Sequence, residues 1–593
     1  MISKVSDIIA QFLKDKEITI SFGIIGSANS HIFDSIAKLG YTQIVYMHHE
    51  QACVMAAGAY YRTCGKMSAA LVTAGAGSSN AITGVLSNWA DSIPCLVISG
   101  QESSFYLEDH KHLRMKGTQG FDSPKMVKDI TKYSNTVSEP EYILYELEKA
   151  YHLSLFKRPG PVWIDVPFDI QSKLVRDVEL YNKEEEHNHS SNSIEKIIKL
   201  LTSAHRPLIL GGHGIKLSNS RDKFRDLVSK LRIPTLLSWS GIDLLEDTDP
   251  YYFGRSGIYG QRAANFIIQN CDLLLVLGSR LSLPQTGYDF NDFAPNAKKV
   301  MINIDREETK KYPYDYTYQE DCGYVIEELL KSADEIESYK LNWIKECKEY
   351  KINFPNLEPQ HKDKKWLTDS YQFIDKLSGD LKDDHVIVTD MGTALLSGHQ
   401  NIRIKKNQTM FTSLGLGEMG YGLPGAIGAA FATKRPILCM NCDGGMMMNL
   451  QELQTIISYK LPIKIIIFNN DGYLMIKHTQ KMLFDSNYVG VDTKTGLGLP
   501  NYRSLANALG FQYYQYTNDA YWIREKFIND INPSILEVFM DAQQDFSPKV
   551  KGVLKEDMTI FSPPLEEMSP LVSLEIIKKN MIIVNDKSYD IHR

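Results

Sequence analysis

Residues 437–470, ILCMNCDGGMMMNLQELQTIISYKLPIKIIIFNN, decide the fold. ILCMNC reads as a buried strand ending at Asp443, with Gly444 and Gly445 next, then a helix (MNLQELQTIISYK). KIIIFNN follows as a second buried strand ending in Asn469 and Asn470. A carboxylate at one strand end and an amide oxygen at the next can share a hard cation, because Mg²⁺ takes oxygen ligands in octahedral geometry and usually adds phosphate oxygens. The glycines leave backbone N–H groups free to approach those phosphates where the helix begins. A plain βα loop can have the same Asp-Gly-Gly turn, so the segment alone leaves both readings open.

Outward from this segment, short β-branched runs alternate with helical stretches: AALVTAG (69–75), CLVISG (95–100), PVWIDVP (161–167), PLILGG (207–212), LLLVLGS (273–279), KVMINID (299–305) and HVIVTD (385–390). Near-continuous apolar strands ending in Gly, Asp or Asn mark parallel sheets covered on both faces. The fold class is therefore α/β, with doubly wound parallel sheets. Two polar, charge-rich stretches, roughly 176–192 and 345–366, have the composition of interdomain linkers. They predict domains at 1–175, 193–345 and 366–545, and a tail at 546–593 with no recognisable chemistry.

The 593 residues are 43% hydrophobic and 23% charged, a globular composition that excludes disordered and collagenous classes. A net charge of −7, with no Lys/Arg block long enough to track a phosphate backbone, argues against a nucleic acid partner. The eight cysteines are scattered, and the Cys439/Cys442 pair alone is not enough for zinc, so they read as thiols of a reducing compartment. No apolar run reaches the roughly 18 residues of a membrane span. These features together predict a soluble, cytoplasmic protein without a membrane partner.

A second element is QIVYMHHE (43–50), a strand ending at Glu50 before the helix QACVMAAGAYYRTCG. A helix dipole also favours an acid at this place, so Glu50 alone is ambiguous. Taken with LVTAGAGSSNAITGVLSNWADSIPCLVISGQ (71–101) and with the 24 residues (445–468) that separate Cys442-Asp443-Gly444 from Asn469-Asn470, the pattern resembles thiamine-diphosphate-dependent enzymes. One departure is Cys442, where that family has a glycine. FGIIGSAN (22–29), KGTQGFD (116–122), RPGPVWIDVPFDI (158–170) and LGLGEMGYGLPGAIGAA (414–430) resemble the acetolactate synthase large-subunit group in particular.

The resemblance implies a pyrimidine-binding domain, a flavin-binding-like middle domain and a diphosphate-binding domain. It implies decarboxylation of a 2-oxo acid, pyruvate foremost, and transfer of the two-carbon unit to a carbonyl acceptor, in a homodimer or homotetramer. It places Glu50 against the cofactor's pyrimidine nitrogen, and Asp443, Asn470 and Gly472 at Mg²⁺. Gly26, Asn80, Gly392, Thr393, Gly417, Met419, Gly444 and Gly445 fall on the remainder of thiamine diphosphate, with Met419 as the wedge that bends it. FAD contacts are implied at Gly211, Gly212, His213, Arg280, Asp305 and Asp321. Gln101, Phe121, Phe168, Met475, Ile476 and Thr479 fall on the substrate pocket. Simple decarboxylases carry a Glu where this chain has Ile476, which favours ligation over aldehyde release. Acetolactate synthases carry a Trp where this chain has Thr479, and usually a Lys where it has Phe168, so a bulkier acceptor such as a nucleotide-linked keto-sugar is a second reading. A 2-oxo acid decarboxylase or lyase and a non-catalytic relative are further alternatives.

Overall fold

The computed structural model describes residues 2–183, 191–336, 340–518, 520–554 and 560–591. The chain divides into two units, each assembled from three segments. Met1–Glu186, Asp384–Leu395 and Thr409–Ala542 form the first, and His187–Asp383, Leu396–Gln408 and Gln543–Arg593 form the second.

The first unit contains two six-stranded sheets. One runs Gln43–Tyr46, Ile20–Gly23, Ala69–Val72, Cys95–Gln101, Pro161–Pro167, Tyr133–Thr136, and every neighbouring pair is parallel. The other runs Thr409–Phe411, Val386–Thr389, Ile437–Cys442, Lys464–Asn469, Ser534–Phe539, Gln512–Tyr516, again all parallel. Numbered along the chain within its own sheet, each has the order 2-1-3-4-6-5. The second unit holds a five-stranded parallel sheet, Thr235–Leu237, Pro207–Gly211, Leu273–Leu277, Lys298–Asn303, Tyr316–Gln319, with the order 2-1-3-4-5. Every residue of Cys95–Gln101, Pro161–Pro167 and Ile437–Cys442 is buried, as strands covered on both faces must be. In each sheet the strand order reverses between strands 1 and 3, and open α/β sheets bind ligands beyond the strand ends at that point.

Two helices join the halves of the first unit. Glu50–Cys64 and Gly422–Ala432 are small and apolar on nearly every side, the pattern of a helix with no solvent face. A Cβ on Gly428 would lie 2.2 Å from the Ala56 carbonyl oxygen, so the backbones touch there and only glycine fits.

Two expectations about chain organisation need correction. The stretch 345–366 is not wholly linker: Leu341–Asn353 is a helix, and its Trp343, Ile344, Cys347 and Tyr350 are buried. These four have helical spacing, but the lysines and glutamates between them give the segment its polar composition. Tyr350 stacks on Phe266, with centroids 5.8 Å apart and planes 7° off parallel. In the other stretch, 176–192, residues 184–190 lie outside those described.

The tail is likewise no appendage. Leu565, Met568, Ile577 and Met581 join the apolar core beneath the helix Arg262–Asn270. That helix is buried throughout, and its polar side chains grip the tail. Arg262 forks onto Glu358 at 2.9 and 3.1 Å and donates to the carbonyls of Met568 and Pro570 at 3.0 Å each. Asn265 donates to the Leu565 carbonyl and Asn270 to that of Asn580, each at 2.8 Å. Because Met568 is fully buried, Met568→Ala should destabilise the second unit by about 2–5 kcal/mol, read as a lower denaturant midpoint for its transition.

Candidate active site

In the first unit the residues singled out form two clusters: Gly26, Gly392 and Asp443 lie just past strands that flank the reversal points, and Glu50 and Asn470 follow the strands next to these. In the C-terminal cluster, Asp443 follows Ile437–Cys442, and its carboxylate accepts from three backbone N–H groups: Gly444 at 2.7 Å, Asn470 at 3.0 Å and Gly472 at 2.9 Å. The side-chain amide of Asn470 donates to the Thr393 hydroxyl at 3.0 Å, while its own oxygen is buried with no protein partner. An orphaned amide oxygen beside a buried carboxylate is an oxygen donor set for a hard cation. Among the described residues no group of three or more His, Cys, Asp or Glu could hold a metal, so a cation here would also draw on backbone or ligand oxygens.

Close approach explains the glycines. A Cβ on Gly444 would meet the Tyr473 ring at 2.4 Å, and one on Gly445 the Asp390 carboxylate at 2.8 Å. Gly472 has φ 115°, with the Val491 carbonyl oxygen 2.1 Å from where a Cβ would be. Gly392 has φ 104° and opens the helix Thr393–Asn401. Cys442 replaces glycine without strain, because its φ of −114° and ψ of 157° are ordinary extended backbone. Its thiol accepts from the Ala394 N–H at 3.4 Å, at the start of that same helix.

Sequence reasoning passed over Asp390, although it too stands at a strand end, in VIVTD. Asp390 is fully buried, takes the N–H of Met391 at 2.8 Å and holds the N–H of Gly420 with both oxygens at 3.0 Å. It therefore fixes one end of the segment carrying Gly417, with φ 73°, and the half-buried Met419. Burial pushes the carboxyls of both Asp390 and Asp443 up to about 7.

In the N-terminal cluster, Glu50 opens the helix Glu50–Cys64 instead of closing the preceding strand, which ends at Tyr46. Its side chain is buried and accepts from the Asn80 amide at 3.0 Å. Gly77 leaves it room, since a Cβ there would lie 3.3 Å from a Glu50 oxygen. Gly26 packs on Thr73, at the reversal point of this sheet.

The expected pocket residues are not alike. Gln101 is a brace, not a free pocket group: its amide donates to Asp165 at 2.8 Å, Ser123 at 3.2 Å and the Phe121 carbonyl at 3.0 Å. Asp165 also takes the Trp163 N–H and the Ser123 hydroxyl at 2.6 Å each, and burial raises it to about 6. This network fixes the segment that carries the half-buried Phe121. Phe168 is 40% exposed and stacks on His31, centroids 4.9 Å apart. On the helix Leu474–Leu483, Ile476 and Thr479 are exposed and Met475 is half-buried, with the Thr479 hydroxyl turned back to the Met475 carbonyl. Lys477 of that helix, 2% exposed, ties it to Asp492 at 3.4 Å and to the Asp471 carbonyl at 3.0 Å.

In the second unit, the residues expected at a flavin have structural work. Gly212 and Gly214 pack on Gly278, where a Cβ on Gly212 would lie 2.4 Å from a carbonyl oxygen. Asp305 and Asp321 cap the helices Arg306–Lys310 and Cys322–Lys331 by accepting from Glu307 and Gly323. Gly211 ends its strand against Phe224, His213 precedes the short helix Gly214–Leu217, and Arg280 is exposed.

Comparison with known proteins gives a consistent answer. The N-terminal, central and C-terminal domains of thiamine pyrophosphate enzymes match residues 3–125, 194–329 and 390–538. The chain is 30% identical over 516 residues to the acetolactate synthase large subunit of Porphyra purpurea, covering 84% of this chain and 85% of the relative. It is 29% identical to the acetolactate synthase isozyme 1 large subunit of Escherichia coli K12 (92% and 95%) and 29% identical to the large subunit from Lactococcus lactis (94% and 96%).

The raised carboxyls give a pH test on the ligand-free protein. A group lifted from 3.8 to about 7 adds stability that is complete below about pH 4 and is lost as pH rises through 7. Asp390→Asn removes that contribution. The difference in melting temperature, wild type minus variant, should therefore decline from pH 4 to above 7 in scanning calorimetry, and a flat difference would contradict the assignment.

Proposed function

The chain belongs to the thiamine pyrophosphate enzymes, in the family of the acetolactate synthase large subunits, and from that premise we propose that it decarboxylates pyruvate and joins the two-carbon unit to a second 2-oxo acid. The observation that carries the reading is the buried Asp443 carboxylate, which accepts from the Asn470 N–H, together with that residue's orphaned side-chain oxygen and with Gly392, Thr393, Gly444 and Gly445 around them. Asp443, Asn470 and a backbone carbonyl at Gly472 would hold Mg²⁺, and the N–H groups near Gly392 and Gly444 would take the diphosphate. When bound, thiamine diphosphate supplies the carbon that adds to the substrate carbonyl and carries the electron pair left by loss of carbon dioxide.

The remaining roles belong to the chain. Glu50, with Gly26 and Asn80 nearby, would hold a proton at the pyrimidine nitrogen. The Gly417 carbonyl would accept from the pyrimidine amino group, and Met419 would support the cofactor. Phe121, Phe168, Met475, Ile476 and Thr479 border the substrate, and Gln101 braces Phe121. Ile476 offers no proton, which supports ligation over release of aldehyde. The acetolactate synthase names of the relatives favour a second 2-oxo acid over a bulkier acceptor.

A homodimer or homotetramer belongs to the same proposal. Phe105, Leu113 and Met115, all about half exposed or more, are the kind of apolar surface that a second copy covers. All eight cysteines are free thiols, which supports a cytoplasmic location, and no described helix is long and apolar enough to cross a membrane. FAD belongs to the same proposal: Gly211, Gly212, His213, Arg280, Asp305 and Asp321 lie at or just after the carboxyl ends of strands of the five-stranded sheet and would hold it there, with no step of the reaction passing through it.

Incubation with pyruvate, Mg²⁺ and thiamine diphosphate should yield carbon dioxide and acetolactate in a 1:1 ratio by mass spectrometry; acetaldehyde as the sole product would overturn the reading. Glu50→Gln should retain cofactor binding but slow deuterium exchange at the thiazolium carbon by roughly 10²-fold or more. In Asp443→Ala, the thermal stabilisation by Mg²⁺ with thiamine diphosphate should disappear.

A further inference from the structure

The geometry points to Asp91 as a positioning residue for the cofactor site, acting through residues 412–420. This inference rests on the roles proposed above for Gly417 and Met419, which that segment carries. The segment runs from the strand Thr409–Phe411 to the helix Gly422–Ala432. Asp91 belongs to the N-terminal domain, at the end of the helix Ile82–Ala90.

The two carboxylate oxygens of Asp91 accept from consecutive backbone N–H groups, Leu414 at 3.0 Å and Gly415 at 2.7 Å. One of them also accepts from the Arg62 guanidinium at 2.5 Å. The side chains of Arg62 and Asp91 are 4% and 7% exposed, so these charge-assisted bonds are made away from water, where they are strongest and most directional. Gly415 is seated directly on the N-terminal domain, because a Cβ there would lie 2.6 Å from the Ala90 carbonyl. Beside it, the Ser87 hydroxyl meets that of Ser413 at 3.0 Å, and Ser413 donates to Glu418 at 2.6 Å. Asp390 secures the far end at Gly420. The stretch between these fastenings contains Gly417 and Met419, so its position follows from where Asp91 holds Leu414 and Gly415.

An asparagine at position 91 keeps the size but offers one oxygen for three donors and turns an N–H₂ towards one of them. The segment should then loosen while the diphosphate end of the site, built on Asp443 and Thr393, stays in place. A reacting group displaced by about 1 Å costs on the order of 10²-fold in rate. The expected signature is therefore slower proton loss at the thiazolium carbon with little change in cofactor affinity.

The test compares full-length wild type, Asp91→Asn and Gly415→Ala. Gly415→Ala pushes the segment off Ala90 while leaving the ion pair intact, and it keeps the inference testable should Asp91→Asn fail to fold. Hydrogen exchange by mass spectrometry on the ligand-free proteins should show faster exchange over 412–421 in both variants. Titration calorimetry with Mg²⁺ and thiamine diphosphate should give near wild-type affinity. Deuterium exchange at the thiazolium carbon, measured well below either melting temperature, should fall at least about tenfold. Variants with a loosened segment and an unchanged rate would show that Asp91 only supports the fold, and unchanged protection over 412–421 would remove the clamp itself. If wild type binds no thiamine diphosphate, the proposed function fails and takes the positioning role with it, while segment protection still reports on the clamp.

Discussion

The buried carboxylate of Asp443, gripped by the N–H groups of Gly444, Asn470 and Gly472, is the contact that organises the C-terminal half of the first unit. Taking a charge out of water is costly unless hydrogen bonds or a counterion compensate. Three backbone donors can converge on one side chain only if two adjacent strands end at the same level and the loop after the second doubles back sharply. That geometry presses Tyr473 onto Gly444 and the Val491 carbonyl onto Gly472, so glycine is required at both positions. It also leaves the Asn470 oxygen without a partner within the protein, aimed where the strand ends meet.

The two six-stranded sheets share one strand order but place different side chains beyond their strand ends. One gathers glycines, a hydroxyl and a carboxylate suited to a cation and an anionic group. The other gathers a buried glutamate and an amide, suited to a neutral heterocycle that exchanges a proton. The same backbone frame serves both because a parallel sheet fixes only where the strand ends lie, while the following loop residue sets the chemistry.

The sequence made the sheets legible because their strands, such as ILCMNC and KIIIFNN, are apolar throughout and end in chemically distinctive residues. Asp443 and Asn470 were legible for the same reason, whereas Glu50, the first residue of a helix, gained its meaning only from the resemblance of the surrounding segments. The helix Leu341–Asn353 was hidden because charged residues surround its four inward positions and composition outweighs period over a short window. Arg62 and Asp91 were hidden for another reason. Each reads as an ordinary surface charge in its own segment, and only folding brings them together under residues 414 and 415. The resemblance puts Gln101 in the substrate pocket, yet folding engages its amide with Asp165, Ser123 and the Phe121 carbonyl.

The tail's place in the second unit governs the order in which a nascent chain can mature. Domains emerging from the ribosome generally fold from the N-terminus onward. Here the helix Arg262–Asn270 has buried polar groups whose partners, at Leu565, Met568, Pro570 and Asn580, are made only near the end of synthesis. The five-stranded sheet can form earlier, but one flank stays open and wet until the ribosome has passed residue 580. From Gln319, the end of the sheet, to Asn580, a little under half of translation, this flank therefore lacks its partners, and that interval is when chaperone capture or misassembly with a neighbouring chain has its opportunity.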